Sequence, residues 1–123
     1  MKSAPHITVN ESGSLVTFDY RGHITAAGIQ AHCDEIFALG TRVRSGFTIV
    51  ADLTDLEKMD PECALVLSRI MEQLGTMGLS RVVRVIPDPR KDIGLAILSL
   101  FHYKAGIVIN TVPDRREARK LLG

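Results

Sequence analysis

Three short apolar runs rich in β-branched residues set the frame: GFTIVADL (46–53), RVVRVIP (81–87) and GIVINTV (106–112). Runs of this length bounded by turn residues read as strands buried on both faces. Each is followed by a stretch with helical spacing. Asp60-Pro61 starts the first, with a good N-cap and a proline where its missing N–H costs nothing. Its stripe is Ala64, Leu67, Ile70, Met71 and Leu74, and Gly75 or Gly78 ends it. Asp88-Pro89 repeats the device before the stripe Ile93, Ile97, Leu100 and Phe101. Asp114 with Glu117 resembles a capping box, and Ala118, Leu121 and Leu122 form the inner face of a final helix. Strands alternating with helices pair in parallel through right-handed crossovers.

The first part of the chain differs. HITVN (6–10) and SLVTFDYR (14–21) are β-rich and separated by Glu11-Ser12-Gly13, which predicts an antiparallel hairpin with Val16, Phe18 and Tyr20 facing the core. Thr25 then caps a helix with Ile29, Cys33, Ile36 and Phe37 on its stripe and Gly40 at its end. The expected order is β-β-α-β-α-β-α-β-α. The expected class is α/β, a mostly parallel sheet with an antiparallel edge hairpin, in one domain over residues 1–123.

Composition narrows the function classes. A net charge of +1 exerts no general pull on nucleic acid or anionic membrane. The longest apolar runs are too short to span a bilayer, and the start MKSAPHITVN lacks the apolar core of a secretory signal. Cys33 and Cys63 make no disulfide framework and suit a reducing cytoplasm. No Walker, Rossmann or nucleophile-elbow pattern occurs, and His6, His23, His32 and His102 have no zinc spacing. The expectation is no catalytic residues, no cofactor and no metal site.

The segment ADLTDLEKMDPECALVL (51–67) stands out. Asp52, Asp55, Glu57, Asp60 and Glu62 face a single lysine, Lys58, over eleven residues. The stretch 81–91 has the opposite sign, with Arg81, Arg84, Arg90 and Lys91 against Asp88. Loops after parallel strands share one edge of the sheet, where ligands usually bind. Two readings stand: helix caps with a solvated rim, or a partner surface. Asp52, Asp55 and Asp60 match no calcium-loop spacing. Cys63 lies in a helical first turn, where the dipole favours a thiolate, but Asp60 and Glu62 oppose it, so a structural thiol is expected. Arg84, inside an apolar strand, needs a carboxylate partner or an exit to solvent. The basic residues of 115–120 read as a solvated face.

Together the order of elements and this segment resemble the STAS family. Its best-known members are bacterial anti-sigma factor antagonists; others are cytoplasmic tails of sulfate transporters. The family pattern is an apolar strand, D-(L/F)-x-x-(L/V), a few residues, then (M/I)-D-S-(S/T)-G opening a helix. Asp52-Leu53, Leu56, Met59 and Asp60 fall on it. SRVVRVIPDPRKDIGLAI and VPDRREARKLL resemble the later strand-loop-helix and final helix, so the likeness spans the chain. The departure is at Pro61, where switch members carry the serine that a partner kinase phosphorylates. Proline has no hydroxyl, and Glu62 supplies a fixed charge in the same turn. A looser set of SpoIIAA-like domains also lacks the serine and is related in fold to SEC14-type lipid-binding domains.

The resemblance implies a non-enzymatic, cytoplasmic, bacterial regulatory domain whose partner is another protein, such as a regulatory kinase or signalling protein. The expected partner surface is Asp55, Glu57, Asp60, Pro61, Glu62, Arg90 and Lys91. Neither nucleic-acid binding nor stable membrane insertion is expected. The alternative is a small-molecule or lipid carrier. It turns on helix 91–103, where Leu95 and Leu98 add a second apolar face to that of Ile93 and Ile97, a pattern that fits a ligand cavity or a homodimer surface.

Overall fold

A computed structural model describes residues 5–88 and 106–122. The expected helix 91–103, with Arg90, Lys91 and His102, lies outside the described residues. Five strands form the main sheet: β1 (His6–Val9), β2 (Leu15–Asp19), β4 (Thr48–Asp52), β6 (Arg81–Val85) and β7 (Val108–Val112). Their order is β1-β2-β4-β6-β7, antiparallel between β1 and β2 and parallel elsewhere. All five match the sequence-predicted strands. Two more strands, β3 (Gly22–Ile24) and β5 (Leu56–Met59), pair in parallel as a separate small sheet.

Period-two alternation gives the inner strands β4 and β6 two buried faces. Val16, Phe18, Ile49, Val82 and Ile86 join the large core. This core includes α1 (Ala26–Ala31), α2 (Cys33–Phe37) and α3 (Cys63–Thr76) through Ile29, Ile36, Leu67, Ile70 and Leu74. Val50, Val83 and Val85 form a second core with Ala118 of the last described helix, α4 (Arg115–Leu122). Burial on both faces is why 48–52 and 81–85 read as continuous apolar runs.

Several expectations need correction. The helix predicted from Thr25 starts there, with Thr25 Oγ1 accepting from Gly28 N at 3.0 Å. It breaks at His32 and runs on as α2 and a 3₁₀ turn, Ala38–Thr41. In the tighter 3₁₀ turn residues three apart eclipse. Leu39 of this turn and Ile36 of α2 both join the core, and Phe37 is left 42% exposed. Residues 56–59, expected as loop, are β5. Leu121 and Leu122, expected on the inner face of the last helix, are exposed, and Ala118 alone of that trio is buried. Arg84 is buried, and its Nη1 donates to Thr111 Oγ1 at 3.3 Å.

Candidate functional site

The carboxyl ends of β2 and β4 bring two acids side by side, because Asp19 pairs in register with Asp52. Asp19 lies 2.7 Å from Arg21 through Oδ2, while its buried Oδ1 accepts no hydrogen bond among the described residues. Asp52 is itself buried. Its Oδ1 accepts from the backbone N–H of Thr54 at 3.0 Å and from Thr54 Oγ1 at 2.5 Å. Its Oδ2 accepts from Arg115 Nε at 2.6 Å. Arg115 reaches across from α4 and also donates through Nη2 to Asp55 Oδ2 at 3.0 Å.

Burial pushes the Asp52 carboxyl up, but the Thr54 hydroxyl, Arg115 and the Thr54 amide outweigh it and hold the group below its ordinary value. The same bonds, from Asp52 first and then Asp55, raise the Arg115 guanidinium. Two of the five acids of the segment, Asp52 and Asp55, are thus tied down from within. Only one edge of Arg115 is shielded, since its side chain remains 45% exposed.

Beyond Asp55 the chain forms β5, whose ends Leu56 and Met59 are buried and whose middle, Glu57 and Lys58, is exposed. Asp60 does not cap α3. Its carboxylate lies 2.8 Å from His23 Nε2 on β3, and Lys58 Nζ is 3.9 Å away. Its backbone N–H donates to Ile24 O, and its own carbonyl accepts from Cys63 N. A 60–63 turn therefore leads into the helix, and Glu62 stands at the N-cap position without a side-chain cap bond. The two small strands explain the difference: β3 offers Asp60 an imidazole partner that sequence spacing does not reveal. The carboxylates of Asp52, Asp55 and Asp60 go to Arg115, Arg115 and His23 and do not converge on one point.

Cys63 is fully buried and donates its S–H to Ile24 O at 3.7 Å. Burial pushes the thiol up, and Asp60 adds to the effect, as the structural reading requires. Cys33 is raised by the same cause.

Of the expected partner residues, Asp55, Glu57, Pro61 and Glu62 are exposed and Asp60 is half-buried. The sequence reading missed Leu65. It is 63% exposed, the most open large apolar side chain among the described residues, one turn after Glu62 on α3. Arg69, also exposed, follows one turn later on the same outward stripe. The signal was present in the spacing, since Leu65 falls outside the buried set Leu67, Ile70, Met71 and Leu74.

The fold has solved counterparts. One is an uncharacterized DUF3478-family protein with a SpoIIAA-like fold from Shewanella loihica. It is 14% identical, with a TM-score of 0.68 over 98% of this chain and 94% of that one. Another is the anti-sigma factor antagonist SpoIIAA in its unphosphorylated form. It is 18% identical, with a TM-score of 0.62 over 98% of this chain and 99% of that one. No family model matches the chain, and no curated protein matches it. The protein therefore has a SpoIIAA-like, or STAS, fold. Among the described residues no helix is long and apolar enough to cross a membrane.

Proposed function

We propose that this chain is a single-domain, non-enzymatic regulatory module of the cytoplasm that docks another protein through the start of α3 and works without a phosphoserine switch. The observation that carries the reading is Leu65. A leucine more than half exposed costs free energy in water, on the order of 1 kcal/mol, that a partner pocket recovers. It stands between Glu62 and Arg69 on an outward helical stripe, with Glu57 exposed on the strand just before. The matching partner surface is an apolar pocket with a basic rim facing Glu57 and Glu62, as on a regulatory kinase or another signalling protein. The similarity to an anti-sigma factor antagonist supports this class of function. Pro61 follows the motif aspartate in sequence and has no hydroxyl to phosphorylate. The docking charge would then be the fixed carboxylate of Glu62.

The test has two steps. Wild type, Leu65→Asp and Glu57→Gln/Glu62→Gln are used as baits in a lysate. Any protein retained by wild type alone is then purified and titrated calorimetrically. Leu65→Asp should weaken its binding at least about tenfold, while unfolding free energies stay within about 0.5 kcal/mol of wild type. Equal affinity for all three baits would overturn the docking surface.

A further inference from the structure

We infer that the cleft at the opposite end of the acidic segment, beside α4, binds a phosphomonoester. The cleft has a volume of about 520 Å³ and is lined by Thr54, Pro87, Pro113 and the arginines Arg115, Arg116 and Arg119 together with Asp114. Thr54, Pro87 and Pro113 follow β4, β6 and β7 respectively. The cleft therefore opens at the carboxyl edge of three parallel strands, the edge at which open α/β sheets hold ligands.

The charges lining it are unevenly used. Asp114 accepts from Glu117 N at 2.8 Å and so serves as the cap of α4. Glu117 pairs with Lys120 at 3.1 Å. Arg115 is shared between Asp52 and Asp55. Arg116 and Arg119 remain, with no acidic partner among the described residues. They are three residues apart, hence neighbours on one side of the helix, and both line the cleft. The helix terminus is already occupied by its own cap, so recognition falls to the two guanidinium forks.

Two cations held in one concavity, without an acidic partner among the described residues, repel each other, and a dianion between them relieves the repulsion. Guanidinium forks match phosphate oxygens bidentately. The volume lies within the range of small-molecule sites and exceeds what a bare phosphate fills. Pro87 and Pro113 offer apolar surface to the organic part of an ester. The same group could be presented by a soluble metabolite or by a lipid headgroup, and the experiment separates the two. This reading uses none of the residues of the proposed docking face on α3.

The full chain is titrated with AMP, with adenosine and with inorganic phosphate by calorimetry, at low and moderate salt. It is also sedimented with phosphatidylcholine vesicles with and without phosphatidic acid. The variant is Arg116→Gln/Arg119→Gln, whose thermal melt should match wild type because both side chains are exposed. Saturable binding of AMP and not adenosine, weakened about tenfold or more in the variant, supports a soluble ester. Binding only to phosphatidic acid vesicles, with the same loss in the variant, supports a lipid headgroup. The proposal is overturned by saturable binding in none of the arms, by adenosine binding as well as AMP, or by binding that the variant retains.

Discussion

Arg115 Nε meets Asp52 Oδ2 at 2.6 Å, and through this contact the last helix is tied to the end of the central strand β4. The partners are 63 residues apart in sequence. One is buried and the other is reachable from solvent. The buried member carries the energetic weight, because an acid without donors at that depth would cost several kcal/mol. Asp52→Asn places an amide N–H against either the Thr54 donors or Arg115 and should cost about 2–3 kcal/mol. Arg115→Gln should cost less, about 1–2 kcal/mol, since Thr54 still serves Asp52. The double variant should cost clearly less than the sum of the two. Urea denaturation of all four proteins measures this, and strict additivity would show that the contact contributes nothing.

The same carboxylate sets an acid limit. Its folded-state pKa lies below the ordinary carboxylate value of 3.8. Between the two values the unfolded chain binds the proton that the native state refuses, so native stability falls as pH falls. The contribution is fully present above the unfolded value and is lost as pH drops through the folded one. Wild type should therefore lose stability more steeply than Asp52→Asn from about pH 5 downward. Parallel stability curves for the two proteins over that range would refute the assignment.

What the sequence disclosed follows from where periodicity is strong. The runs at 48–52 and 81–85 are apolar because both sheet faces are covered, and the hairpin alternates because Val16 and Phe18 face the core. The small sheet was hidden for the opposite reason. Leu56-Glu57-Lys58-Met59 buries its two ends and exposes its middle, so it shows no period of two, and Gly22–Ile24 is only three residues long. That omission carried into the site. Without β3 beside β5, nothing in the sequence placed His23 next to Asp60, and Asp60 read as a helix cap. The tie between Arg115 and the acids is likewise a tertiary fact, set by the packing of α4 on β6 and β7 rather than by any local spacing.

The corrected role of Asp60 can be measured. Its carboxylate binds His23, and the two side chains are 27% and 41% exposed, so solvent screens the pair. A double-mutant cycle with Asp60→Ala and His23→Ala should give a coupling of about 0.5–1 kcal/mol. Asp60→Ala should cost little once His23 is gone. A cap would behave differently, costing about 1 kcal/mol in either background, and that result would restore the capping role.

Both thiols should be inert in the native protein. Cys63 is sealed at 0% exposure and Cys33 at 7%, and burial raises both thiols and so disfavours the thiolate. Native protein at neutral pH should react with a disulfide reagent only as fast as it opens, and both cysteines should react at once in urea. Rapid native labelling of Cys63, mapped by mass spectrometry, would contradict the structural role.

Two glycines with positive φ separate backbone strain from steric contact. Gly22 has φ +65 and open space around an added Cβ, so Gly22→Ala carries only the left-handed penalty of about 1–2 kcal/mol. Gly13, in the β1–β2 turn, has φ +73, and a Cβ there would lie 2.4 Å from the backbone oxygen of Arg42. That oxygen cannot rotate away as a side chain can. The Gly13 carbonyl also accepts from Arg44 N at 2.9 Å, which pins the two segments together. Gly13→Ala must therefore either break this contact or push back the 42–44 segment, adding about 1–3 kcal/mol of overpacking to the same left-handed penalty. Chemical denaturation should rank the proteins wild type, Gly22→Ala, Gly13→Ala in falling stability. Equal losses at the two positions would mean that the hairpin turn does not lie against the segment before β4.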